Sequence, residues 1–302
     1  MHLAETIGGK DISPAIRLEL HASQGAIATE TNDGVTCLEH YQKFFQLTKE
    51  LSGDLSIPDN QVNMAEAHNE LGIAKMMVGT SAELHDAQVE FERARSILDG
   101  TLRGANHRRM RMWGLASVNL AYAFIEEGKP ADAVDILTLL LKTLNLNTSF
   151  KEQDTLVYGR LYHALGNANW DMMKKGPSRR WHQAAYDRHK TKLGEGHHRT
   201  ADVAVRLVLH AHELDDFAAG HKLLDLSEST YGSRSCYRPE LARAWHYRSL
   251  IYSRQKKTED ATRWKNHAQE LYEDVLFEQR QEVLDGEPTT EDFNKIVTYW
   301  SR

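Results

Sequence analysis

The sequence is poor in the residues that staple small secreted proteins. It has only two cysteines, Cys37 and Cys236, too few and too far apart for a disulfide framework or a four-thiolate zinc site. Its six prolines and 41 % hydrophobic content suit a folded, helix-rich chain and exclude disorder or a collagen-like repeat. An excess of basic charge is also missing: 37 Lys and Arg stand against 43 Asp and Glu, for a net charge of −6. Bulk nucleic-acid binding and polybasic membrane binding both need clustered excess cations, so neither partner is expected. No stretch approaches the roughly 20 apolar residues of a membrane span, the densest being Ile136 to Leu141. The opening Met-His-Leu-Ala-Glu-Thr lacks the basic start and apolar run of a signal peptide. Asn147-Thr148-Ser149 matches a glycosylation sequon, which has no meaning without secretion. The expectation is a soluble, cytoplasmic protein.

Catalytic signatures are equally scarce. There is no G-x4-G-K-[S/T], no G-x-G-x-x-G, no H-E-x-x-H and no G-x-S-x-G, which disfavours a standard nucleotide enzyme, zincin or serine hydrolase. Sixteen histidines invite a metal, yet His210 and His212 sit two apart on a predicted helix and point about 200° away from each other. His197 and His198, at the start of a helix, fit capping or packing better than ligation. No metal and no cofactor are expected. The basic clusters His107-Arg108-Arg109-Met110-Arg111 and Lys174-Lys175 with Arg179-Arg180 read as solvated helix ends, with a docking patch for an acidic partner as the alternative.

What the chain does have is internal repetition. Small residues recur twelve apart: Gly25 and Cys37, Ala121 and Ala133, Gly166 and Ser178, Val208 and Gly220, Ser249 and Ala261. In a sixth pair, Gly72 and Ala87, an insertion near Gly79-Thr80-Ser81 is expected to lengthen the turn. Small side chains at such positions let two helices of a hairpin approach closely. Around them recur Leu71-Gly72 with Phe91 and Ala94, Leu165-Gly166 with His182 and Ala185, and Trp245 with Tyr252 and Ala268.

This pattern resembles the tetratricopeptide repeat (TPR), W-x2-L-G-x2-Y followed by A-x3-F. The first-helix markers lie 41 to 49 residues apart, more than the usual TPR period. The stretch from Gly194-Glu195-Gly196 through His197-His198-Arg199-Thr200-Ala201-Asp202 is similar to the longer repeats of kinesin light chains. The whole arrangement resembles a group of fungal TPR proteins. The pieces that carry this resemblance are Asn69 to Ala74, Gly159-Arg160 with His163 to Asn167, His197 to Val203, and Tyr299-Trp300-Ser301-Arg302. Lys75 and Asn169 depart from it, standing where an aromatic is usual, with Trp170 directly after the second.

The resemblance implies an all-α, right-handed superhelical solenoid of about six helix pairs, forming a single domain over residues 1–302. The pairs fall near 18–50, 65–98, 114–147, 159–193, 201–231 and 242–275, with a capping helix at 290–300 covering the open end. It also implies that the second, fifth, ninth and twelfth residues of each first helix face the groove. The resulting candidates for groove and ligand binding are Asn69, Met76, Tyr122, Arg160, His163, Asn167, Trp170, His212, Arg243 and His246, with Asp202, Val205 and Leu209 in the same register. Arg160 could grip a carboxylate bidentately, and Asn69 and Asn167 could read a peptide backbone. Tyr122 and Trp170 are equally read as packing between neighbouring helices. The function expected is a scaffold that binds a protein or peptide partner in its concave groove. The alternative is a small-molecule-binding protein or enzyme of fungal specialised metabolism, holding a small apolar ligand with His163, His212 or His246 moving protons. No catalytic residue follows from the sequence.

Overall fold

The computed structural model describes residues 12–99, 106–146, 150, 155–279 and 286–302. The sequon at 147–149 lies outside the described residues, as do the first residues of the chain. Among the described residues there are 13 α-helices, one short 3-10 turn and no strand. In chain order they are α1 Pro14–Glu30, α2 Gly34–Ser52, α3 Pro58–Val78, α4 Ser81–Asp99, α5 His107–Glu126 and α6 Pro130–Asn145. Then come α7 Thr155–Asp171, α8 Lys175–Leu193, α9 His198–Glu213, α10 Phe217–Tyr231, α11 Arg238–Arg254, α12 Thr258–Glu278 and α13 Thr290–Lys295. None is long and apolar enough to cross a membrane.

The repeated unit is a helical hairpin, and its turn chemistry repeats with it. Each turn inside a hairpin places one residue in the left-handed region: Asn32, Gly79, Gly128, Met173, Asp215 and Lys256. In five of them the next residue donates its N–H to a carbonyl five positions back, as from Asp33 to Ala28 (2.9 Å), Lys174 to Asn169 (2.8 Å) and Lys257 to Tyr252 (3.0 Å). That is the Schellman closure, which satisfies carbonyls the helix end would otherwise leave unpaired. The α3–α4 hairpin differs: Gly79 bonds back to Lys75 at 3.2 Å. Its insertion does not lengthen the turn, which is the two residues Gly79 and Thr80. The extra residues instead extend the start of α4, where the Thr80 hydroxyl accepts from the Glu83 N–H (3.2 Å).

Left-handed backbone is unfavourable for a residue with a β-carbon, by about 1 kcal/mol or somewhat more. Met173 occupies it with φ 58° and a side chain 75 % exposed. Met173→Gly is therefore expected to raise stability by up to about 1 kcal/mol in urea unfolding; a loss of stability would argue against the left-handed turn.

The small residues do what their spacing suggests. A β-carbon at Gly25 would come within 2.5 Å of the Tyr41 ring, at Gly72 within 2.6 Å of Phe91, and at Gly166 within 2.1 Å of His182. Each glycine is thus the floor on which a ring from the second helix rests. His182 is fully buried and hydrogen-bonded at both nitrogens, so it cannot swing aside. Gly166→Ala is expected to cost about 1–3 kcal/mol by overpacking, and a variant melting like the parent would contradict this contact.

The helices form two compact units, Met1–Ala123 and Phe124–Arg302, with the division inside α5. In the first, Ala28, Cys37, Tyr41, Phe44, Ala67 and Ala74 make a core between α1, α2 and α3. Burial pushes the Cys37 thiol up to about 12, which makes it a packing residue and not a nucleophile. In the second unit, one cluster joins α9, α10 and α11 through Val205, Val208, Leu224, Tyr231, Tyr247 and Ile251. Another seats Phe293, Ile296 and Val297 on Ala242, Tyr272 and Leu276 of the last hairpin. The last helix, α13, is shorter than the 290–300 expected of a capping helix and is opened by a capping box between Thr289 and Asp292.

Candidate functional site

Within the second unit, α7, α9 and α11 each present charged or polar residues on one face, and a single strip of polypeptide lies against them. That strip is residues 297–302, buried from Val297 through Ser301. It leaves α13 as a turn, with the Ser301 N–H donating to the Thr298 carbonyl (2.9 Å). Arg243 on α11 is fully buried and donates Nη1 to the Ser301 carbonyl (2.6 Å) and Nη2 to the Ser301 hydroxyl (2.9 Å). The same hydroxyl donates to Asp202 Oδ1 on α9 (3.0 Å), which also accepts from the Tyr231 hydroxyl (3.0 Å). Asn167 on α7 donates Nδ2 to the Arg302 carbonyl (2.9 Å). The Trp300 ring faces two guanidinium groups, Arg199 at 5.0 Å and Arg160 at 5.9 Å from its centroid. Arg302 pairs with the carboxylate of Glu126 and donates Nε to the Val297 carbonyl (3.2 Å).

Behind Asn167 runs a buried chain of histidines. The tautomers follow from the partners: Asn167 spends its amide N–H on Arg302, so its Oδ1 accepts from His182 Nε2 (3.0 Å). His182 Nδ1 must then accept, and His210 Nε2–H is its donor (3.0 Å). Ser178 closes the chain, donating to the Gly166 carbonyl (2.8 Å). The His163 ring lies edge-on to His182 at 5.6 Å. Burial holds the pKa of His163 and of His182 far below the usual histidine range, with Arg206 adding to both. His210 is pushed to about 4 by burial and by the Arg206 charge, and His189 to about 3 by burial and by Arg199. These imidazoles are neutral at pH 7. Among the described residues no three His, Cys, Asp or Glu side chains converge to hold a metal ion.

The remaining residues singled out from sequence lie elsewhere. In the first unit Asn69 is 1 % exposed and accepts from Asn119 Nδ2 (2.9 Å), while Met76 and Tyr122 are buried at 3 % and 1 %. Trp170 is half-buried, with the Lys175 ammonium 3.0 Å from its ring centroid and His210 edge-on to it. His212 is half-buried, its pKa lowered by desolvation and by Arg254. His246 stacks on Phe293 at 4.4 Å and meets the Thr290 hydroxyl at 2.8 Å. Burial and then Lys265 bring it to about 4. It lines a cavity of about 360 Å³ with Leu250, Lys265 and Phe293. His197 is the N-cap of α9, accepting from the Arg199 N–H at 3.1 Å.

Sequence reasoning picked out Arg199, Trp300, Ser301 and Arg302 only as parts of the resemblance and not as site residues, and it missed Glu126. Arg199 lies three residues before Asp202 and so shares its helix face. Glu126 is the last residue of α5, one helical turn after Tyr122. The strip itself has no repeat period to betray it.

No family model matches the sequence, and no curated protein does. Solved structures match the fold. One is BtubC (BKLC) from P. vanneervenii, with a TM-score of 0.63 at 13 % identity, covering 83 % of this chain and 94 % of that one. Another is aspartyl phosphate phosphatase F from Bacillus subtilis, with a TM-score of 0.62 at 11 % identity, covering 94 % of this chain and 67 % of that one. The fold is a TPR-like helical repeat. At these identities the likeness is one of fold alone.

Proposed function

We propose that the protein is a TPR-like scaffold that binds an extended segment of a partner protein on the inner face of α7, α9 and α11. The observation that carries this reading is that Asn167 and Arg243 already hold two main-chain carbonyls of a polypeptide strip. Main-chain contacts supply sequence-independent grip, and side-chain pockets beside them supply selectivity, which is the division of labour in peptide grooves generally. The neighbours in fold agree with a helical-repeat scaffold.

Peptides selected by display against the full chain test the reading. Arg160→Ala and Asn167→Ala are each expected to weaken the best peptide by about 2 kcal/mol or more, as hot-spot residues do. Unchanged affinity in both would remove this face. The cavity at His246 supports a second reading, a small apolar ligand, since about 300–1,000 Å³ is the usual range for such sites. Native mass spectrometry that finds a bound small molecule, lost in Leu250→Trp, would favour it.

A further inference from the structure

The segment after α13 is built in two halves of opposite chemistry. Phe293, Ile296 and Val297 enter an apolar core with Ala242, Tyr272 and Leu276, the composition of a structural anchor. Trp300, Ser301 and Arg302 make a different kind of contact, cationic and hydrogen-bonded throughout. Packing alone would be better served by more apolar residues, because burying Arg243 and Asp202 costs desolvation that their contacts only partly return. Such contacts discriminate between sequences, and the Arg302–Glu126 pair is accessible enough to open, with side chains 31 % and 19 % exposed.

Resting on the partner-segment reading above, we infer that this face reads a partner segment presenting an aromatic residue, then serine or threonine, then arginine, and that residues 300–302 occupy the site in that partner's place. Each element of the sequence has its reader. The aromatic ring meets the guanidinium groups of Arg199 and Arg160, which favour a π face over an aliphatic side chain. The hydroxyl must donate to Asp202 and accept from Arg243 at once; alanine does neither. The basic residue answers Glu126, the acid at that end of the face. Asn167 and Arg243 bind the main chain whatever its sequence. An incoming segment must displace the resident one, which is tethered by its apolar anchor. The scaffold is thereby closed to weak ligands and open to those that match all three positions.

The test uses a fluorescein-labelled peptide Val-Thr-Tyr-Trp-Ser-Arg, the sequence of residues 297–302, and fluorescence anisotropy. The hosts are the full chain and its Trp300→Ala/Arg302→Ala variant, which keeps the apolar anchor and is checked for parental helicity. The variant is expected to bind the peptide at least about tenfold more tightly than the parent, because a tethered competitor acts at an effective concentration near millimolar. Peptides with Trp or Ser replaced by Ala are expected to lose at least about tenfold on the same host. If the double variant does not fold, Arg302→Ala alone, which removes only the accessible pair, is expected to give a smaller gain of about threefold. Equal affinity of parent and variant, or no binding to a folded variant, overturns the inference. So does a parental dimer whose chains exchange this segment, which would make a second copy the occupant. Display peptides of unrelated chemistry that still depend on Arg160 and Asn167 would sink this inference and leave the scaffold reading standing.

Discussion

Between pH 7 and pH 5 the protein is expected to lose several kcal/mol of stability through buried histidines of the second unit. His189, His210 and His246 are buried at 2 %, 3 % and 9 % exposure, with pKa values of about 3, 4 and 4. Their folded pKa values lie below the unfolded value near 6.5. Below pH 6.5 the unfolded chain therefore takes up protons that the folded chain refuses, and stability falls as the pH falls toward 4. His189 and His246 should each lose about 2 kcal/mol by pH 5, and His210 less because solvent screens it more. His163 and His182 shift the same way, and Arg199, Arg206 and Lys265 around these rings offer no counter-anion. Against a usual total of about 5–15 kcal/mol, the effect is large enough to see as a drop in the urea midpoint. A stability that is flat from pH 7 to pH 5 would show that the rings are solvated or paired with carboxylates.

Arg243→Met is the second large effect. The guanidinium is fully buried, and Ser301 stands between it and Asp202, itself 4 % exposed. Removing the cation leaves the buried Asp202 with only the Ser301 and Tyr231 hydroxyls, and breaking one partner of a buried charged pair typically costs about 3–5 kcal/mol. The loss should be partly recovered in Arg243→Met/Asp202→Asn, because the orphaned charge is then gone. Urea unfolding of the four proteins in the cycle measures the coupling. Additive losses would mean that the two charges do not sense each other through Ser301.

Much of this arrangement is legible in the residues themselves. The twelve-residue spacing of small side chains places the hairpins, because close helix approach demands small residues and only a hairpin of fixed turn repeats that interval. The groove register that the repeat resemblance implies includes Arg160, Asn167, Asp202 and Arg243, and these four side chains meet the strip. The α3–α4 insertion is misplaced by that reasoning. The left-handed stop at Gly79 keeps its position seven residues after Gly72, and the added residues can continue a helix more cheaply than they can form a loop. The strip over the second unit is not legible, because residues 297–302 have no period, and their partners are 58 to 176 positions away in the chain.

The most direct test places the photo-reactive residue p-benzoylphenylalanine at position 300 of the full chain in place of Trp300. If the strip lies against α7, α9 and α11, irradiation yields crosslinks within one chain, to peptides from α7 (155–171) and α9 (198–213). Crosslinks between chains, or none to either helix, would contradict the account.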